Sequence, residues 1–139
     1  MNATGRTELW LISIKNIARF PFGWIGWESS SLHYSHNLWL DVDRVTGILP
    51  FIFLCMFTVS SIHLLIETIK ISPENHYFNT TILVFFAGFT AVFFVEPIIE
   101  GLYMFFLIFC FYIGILSGYL KRTELVDKLN SLQSILNNS

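Results

Sequence analysis

Two long stretches almost free of charge decide what this chain can fold into. Residues 48–66 contain no Asp, Glu, Lys or Arg, and His63 is their one imidazole. Residues 80–120, forty-one in all, carry only Glu96 and Glu100. In hydrocarbon every backbone N–H and C=O must be paired within its own segment, so such runs cross a bilayer as α-helices. About twenty residues at 1.5 Å rise each match a hydrocarbon core of about 30 Å. The expected fold class is all-α: a small polytopic membrane protein, read as a four-helix transmembrane bundle. Three spans follow directly, and an N-terminal helix either spans or lies in the interface.

The first span is expected over residues 47–69, with Asp41, Asp43 and Arg44 at its near end and Glu67 and Lys70 at its far end. Pro73 cannot continue a helix comfortably, and Ser72, Glu74, Asn75 and Asn79 around it suit a loop or a cap. Asn79-Thr80-Thr81 matches a glycosylation acceptor but lies too near the bilayer to be a strong signal. One helix over residues 80–120 would be about 60 Å long, twice the hydrocarbon thickness. A hairpin is the economical reading, with helices over 78–95 and 97–120. Pro97 then occupies the first turn of the second helix, where its missing N–H costs nothing. Glu96 and Glu100 would stand at that helix's positive end.

The first 46 residues are expected to form an amphipathic or spanning helix followed by a polar loop. Residues 9–27 are long enough to cross, but Lys15, Asn16 and Arg19 interrupt them. Each charge near mid-membrane costs roughly 2.5–3.5 kcal/mol on the insertion scale. Trp10, Trp24, Trp27 and Trp39 all fall in this first third, which places several turns near a headgroup layer. Charge counting separates the alternatives. With residues 9–27 spanning, Arg6, Lys70, Lys121, Arg122 and Lys128 share one side and Arg44 stands alone on the other. That asymmetry obeys the positive-inside rule, with both termini cytoplasmic and the chain in the cell membrane. If the stretch lies flat, the charges divide evenly and give no orientation. The start of the chain lacks the compact apolar core and small-residue cleavage site of a removable signal peptide.

Residues 121–139 return to soluble character. Leu125, Leu129, Leu132 and Leu136 form a 4-3-4 apolar seam on a helix, an oligomerisation element too short to hold a coiled coil unaided. Gly114 and Gly118 make a G-x-x-x-G pair, and Ala87 and Ala91 flank Gly88 in a similar small patch. Small residues at this spacing let a second helix approach closely, although Gly is also simply common in membrane helices.

The formal net charge of −2 gives no electrostatic footprint for nucleic acid. Cys55 and Cys110, both inside apolar runs, read as small apolar side chains. The polar groups that could carry function are few. Glu96 and Glu100 sit four apart and could bind a cation, shape a pore mouth, take a partner's basic residue, or form the wet turn of a hairpin. His63 and Glu67, again four apart, could relay protons or bond locally. Lys15 and Arg19 could pair with Glu67 inside the bundle or snorkel to headgroups. Glu28, His33, His36, Asp41 and Asp43 hold two imidazoles at a spacing zinc accepts, but no Cys reinforces them, and no metal or other cofactor is expected.

No nucleophile elbow, phosphate loop or zinc-protease order is present in the sequence. The leading expectation is a non-catalytic membrane protein acting through helix–helix assembly as an accessory, immunity, inhibitory or sensor component. Its partners would be the lipid bilayer and either copies of itself or a larger membrane protein. The alternative is an oligomeric ion channel or small transporter lined by acidic residues, and a lipid-directed membrane enzyme ranks third.

Overall fold

The computed structural model describes residues 3–24 and 35–137. Glu28 and His33, two of the five groups weighed as zinc ligands, and Trp27 lie outside the described residues. Among the described residues the fold is an all-helical membrane bundle of five helices: α1 (Ala3–Arg19), α2 (Leu38–Thr46), α3 (Ile48–Ile71), α4 (His76–Val95) and α5 (Tyr103–Asn137). Three of them, α3, α4 and α5, are long and apolar enough to cross a membrane.

Helix α3 is the shared neighbour of α2, α4 and α5. Its hydroxyls are satisfied within the helix: Thr58, Ser61 and Thr68 each donate to the carbonyl four residues back. That bond lets Ser61 and Thr68 be fully buried among apolar neighbours without an unmet donor. The helix stops at Ser72 before Pro73, and α4 starts behind Asn75, whose side chain accepts from the Phe78 N–H at 3.2 Å.

Helices α4 and α5 meet ring to ring. Phe109 lies 5.2 Å from Phe93, 5.6 Å from Phe86 and Phe89, and 6.1 Å from Phe57 of α3, several of these pairs edge to face. Such pairs gain from the ring quadrupole beyond simple contact. The Tyr112 hydroxyl donates to the Ile82 carbonyl at 2.7 Å beside them. Phe109→Ala is therefore expected to lower the unfolding midpoint in detergent clearly, whereas Phe111→Ala, on the outward face, is expected to leave it nearly unchanged.

The hairpin turn departs from the sequence expectation. Glu96 is extended (φ −122°, ψ 149°), and α5 begins at Tyr103 rather than at Pro97. The residue preceding proline is pushed out of the helical region, which ends α4, and a single turn follows, with Gly101 donating to the Pro97 carbonyl and Leu102 to the Ile98 carbonyl, before α5 begins. Glu96 and Glu100 thus do not share the face of one α-helix. At its other end α5 continues without a break through the last span into the tail, 35 residues or about 52 Å. Ser72 Oγ and the Tyr119 hydroxyl, 2.7 Å apart, mark where α5 leaves the bundle. From Lys121 onward its side chains are almost all exposed.

The larger departure is in the first third. Helix α1 ends at Arg19, before Pro21, so the stretch 9–27 is not one helix, and residues 38–46, for which the sequence predicts no helix, form α2. Asn37 caps α2 with its side chain on the Leu40 N–H, and Asp41 and Arg44 stand at the ends that suit their charges. At Gly47 the chain reverses, and α2 folds back along the first half of α3. The Trp39 indole N–H donates to Thr58 Oγ1 at 2.9 Å, and the Trp39 ring lies 4.7 Å from Phe94 of α4. Helix α1 runs beside α2 in the same direction. Its Trp10 donates to the Ser35 carbonyl just before α2 begins, while Pro21 accepts from the Ile48 N–H just after α2 ends.

Candidate functional site

Folding α2 back onto α3 buries its charges. Asp41, Asp43 and Arg44 are all buried, together with Ser35 and Asn37, at the end of the bundle where the α4–α5 turn also lies. Arg44 reaches across to that turn: its Nη2 donates to Glu100 Oε1, and its Nε is 3.9 Å from Asp41 Oδ1. The guanidinium side chain is 4% exposed and the Glu100 side chain 38%. Asp41 Oδ1 also accepts from the Ser35 backbone N–H and Oγ, each at 2.8 Å. Ser35 in turn gives its carbonyl to Trp10, so hydrogen bonds run from α1 through Ser35 to Asp41, and the ion pairs of Arg44 with Asp41 and Glu100 carry the connection on to the α4–α5 turn.

Asp43 is different. It is 0% exposed, and neither carboxylate oxygen has a hydrogen-bond partner. The Trp24 indole N–H, itself buried and unbonded, faces it without reaching hydrogen-bond geometry. Burial pushes the Asp43 carboxyl above the usual carboxylate range, and the nearby indole opposes this only in part.

Two glycines close the cluster. Gly23 (φ +93°) and Gly47 (φ +87°) sit where the strap after α1 crosses the strap between α2 and α3. Trp24 donates its backbone N–H to the Arg44 carbonyl at 2.9 Å, and the Ile48 backbone N–H donates to the Pro21 carbonyl at 3.0 Å. A Cβ on Gly47 would lie 2.3 Å from the Pro21 carbonyl oxygen.

Among the residues singled out from the sequence, Glu100 belongs to this cluster and Glu96 remains exposed in the turn. His63 is exposed on α3, and Glu67 bonds Lys70 at 2.8 Å rather than His63. Lys15 and Arg19 face outward, with Arg19 over the Phe20 ring, and neither pairs with Glu67. Among the described residues, no three His, Cys, Asp or Glu groups converge as a metal site. Cys55 and Cys110 are free thiols.

The small-residue patches are not used inside the chain. A Cβ built on Gly88, Gly114 or Gly118 meets nothing within 4 Å, and Ala87 and Ala91 are exposed. Gly88 instead lines a shallow apolar groove of about 290 Å³ with Val84, Phe85 and Phe105. Leu125, Leu129, Leu132 and Leu136 are all exposed.

The burial of Arg44 was not foreseen from the sequence. The signal available was a lone Arg between two Asp immediately before a charge-free run, with Glu100 among the few charges beyond it. Neither family models, curated protein sequences nor solved structures give a match to this chain.

Proposed function

We propose that this chain is a non-catalytic, multi-pass protein of the cell membrane that works by assembly, pairing with a second copy of itself along the outer face of α5. The observation that supports this reading is one continuous stripe. At 100° per residue, Gly114, Gly118, Leu125, Leu129, Leu132 and Leu136 fall within an arc of about 60° on a single helix. Phe109 and Leu116, which pack into the bundle, lie on the opposite side. The glycines allow close approach within the bilayer, and the leucines continue the same seam past Lys121.

A second copy is favoured over lipid because the seam's distal half lies among Glu124, Asp127 and Lys128, where acyl chains do not reach. Parallel copies about a two-fold axis would set each leucine against its own counterpart. Lys70, Lys121, Arg122 and Lys128 gather at the end from which α5 emerges, and the positive-inside rule supports a cytoplasmic side there. In this reading α1, held along α2 at both Trp10 and Pro21, is the fourth inserted helix, with Arg19 within a turn of the far surface.

Sedimentation in detergent and in bicelles tests the proposal. The wild type is expected to be dimeric. Gly118→Leu and Leu129→Asp are each expected to weaken dimerisation by roughly tenfold or more, about 1.4 kcal/mol, with helicity and unfolding midpoint unchanged. A wild-type protein that is monomeric at every concentration would contradict it, as would one that associates only with a larger membrane protein. A pore would instead show altered conductance in Glu96→Gln with assembly retained.

A further inference from the structure

We propose that Asp43 is a proton-binding site, loaded while α1 and α2 are closed onto α3 and emptied when they part. The ground is geometric. The side chain is fully buried, and among the described residues neither oxygen receives a hydrogen bond and the Trp24 indole N–H is the polar group that faces it. A carboxylate in such a place is stable only with a proton or a cation, because an uncompensated buried charge is far costlier than a neutral acid.

Among the described residues, the neighbouring charges do not supply the compensation. On α2 itself, Arg44 is engaged by Glu100 and lies near Asp41, so among the described residues the cluster contains three carboxyls and one guanidinium. From the α4–α5 turn come only Glu100 and the exposed Glu96, and the half of α3 beneath α2 has no ionisable acid or base other than the Cys55 thiol. On α1, Glu8, Lys15 and Arg19 are exposed, and His36 precedes α2. A metal ion is the poorer occupant, since no third carboxylate or imidazole among the described residues converges with Asp41 and Asp43.

The linkage has a definite sign. With the native carboxyl raised above its unfolded value, the closed form binds the extra proton. Its stability is complete below the ordinary aspartate pKa, declines as pH rises through the interval up to the native value, and levels off above that. Closure of the N-terminal layer thereby becomes proton-linked.

The chain has only three aspartates, Asp41, Asp43 and Asp127, which makes the test direct. The full-length protein, labelled with ¹³C at the aspartate carboxyls and held in micelles, is titrated by NMR. One resonance is expected to titrate well above the exposed Asp127, to persist in Asp41→Asn and Asp127→Asn, and to vanish in Asp43→Asn. Amide exchange across residues 38–47, corrected for intrinsic rates, is expected to speed up with rising pH in the wild type and to stay flat in Asp43→Asn. The proposal fails if all three carboxyls titrate together in the ordinary range, or if the displaced resonance is lost with Asp41→Asn. Because the assignment uses the Asp41 and Asp127 variants, it stands even if Asp43→Asn does not fold.

Discussion

Gly47→Ala is expected to separate the N-terminal layer from the bundle. At φ +87° and ψ −175° the backbone occupies a region essentially restricted to glycine, and forcing another residue there costs about 1–3 kcal/mol. The steric term is larger. The added Cβ would sit 2.3 Å from the Pro21 carbonyl oxygen and 2.8 Å from the Phe22 backbone. These are main-chain atoms, so no side-chain rotation relieves the clash, and the two straps must move apart. The bonds Ile48 N–H to Pro21 and Trp24 N–H to Arg44 would then be lost together. Limited proteolysis within residues 20–47 should become fast in Gly47→Ala, while α3–α5 stay helical. Gly114→Ala, whose Cβ meets nothing within the chain, should leave this cleavage as slow as in the wild type.

Arg44→Ala is expected to be nearly as damaging, for an electrostatic reason. The guanidinium is, among the described residues, the one cation placed between Glu100 and Asp41, in a cluster that also buries Asp43. Removing one partner of a buried pair strands the other charge and typically costs about 3–5 kcal/mol, a large part of a total stability of about 5–15 kcal/mol. Glu100→Gln should cost much less, within about 1 kcal/mol, because Glu100 is more than a third exposed and an amide oxygen still accepts from Arg44. Chemical denaturation in micelles reads both. Equal losses in the two variants would mean that the ion pair, rather than the buried aspartates, determines the effect.

The three long apolar helices were legible because the cost of bare backbone in hydrocarbon leaves a charge-free run of twenty residues few alternatives. The α3–α4 loop was legible for a similar reason, with Asn75 and Pro73 acting locally. What the sequence hid was non-local. Asp41, Asp43 and Arg44 read as the polar border of a span, since three charges before an apolar run ordinarily face water. Only the reversal at Gly47 turns them inward, and a lone glycine among Thr46 and Ile48 carries no mark of φ +87°. Glu100 likewise gains its partner from fifty-six residues away. Pro97 reads as a helix start, and it does open a single turn, closed by Gly101 N–H on Pro97 and Leu102 N–H on Ile98, but that turn is not continuous with α5, which begins at Tyr103. The seam of α5 was visible as spacing; its continuity with Gly114 and Gly118 required knowing that no break separates span from tail.

Everything about the buried cluster depends on α2 doubling back against α3, and one cross-linking measurement asks that directly. Trp39 and Thr58 are nineteen residues apart, and were the chain to run on as one helix their backbones would be separated by about 28 Å. In the fold described here their side chains share a hydrogen bond of 2.9 Å. With Cys55 and Cys110 replaced by alanine, Trp39→Cys and Thr58→Cys should be joined within one chain, in membranes, by a thiol cross-linker no longer than a tryptophan side chain. Efficient joining is the expected result; two thiols that stay free while each reacts readily with a single-ended reagent would show that α2 does not lie on α3.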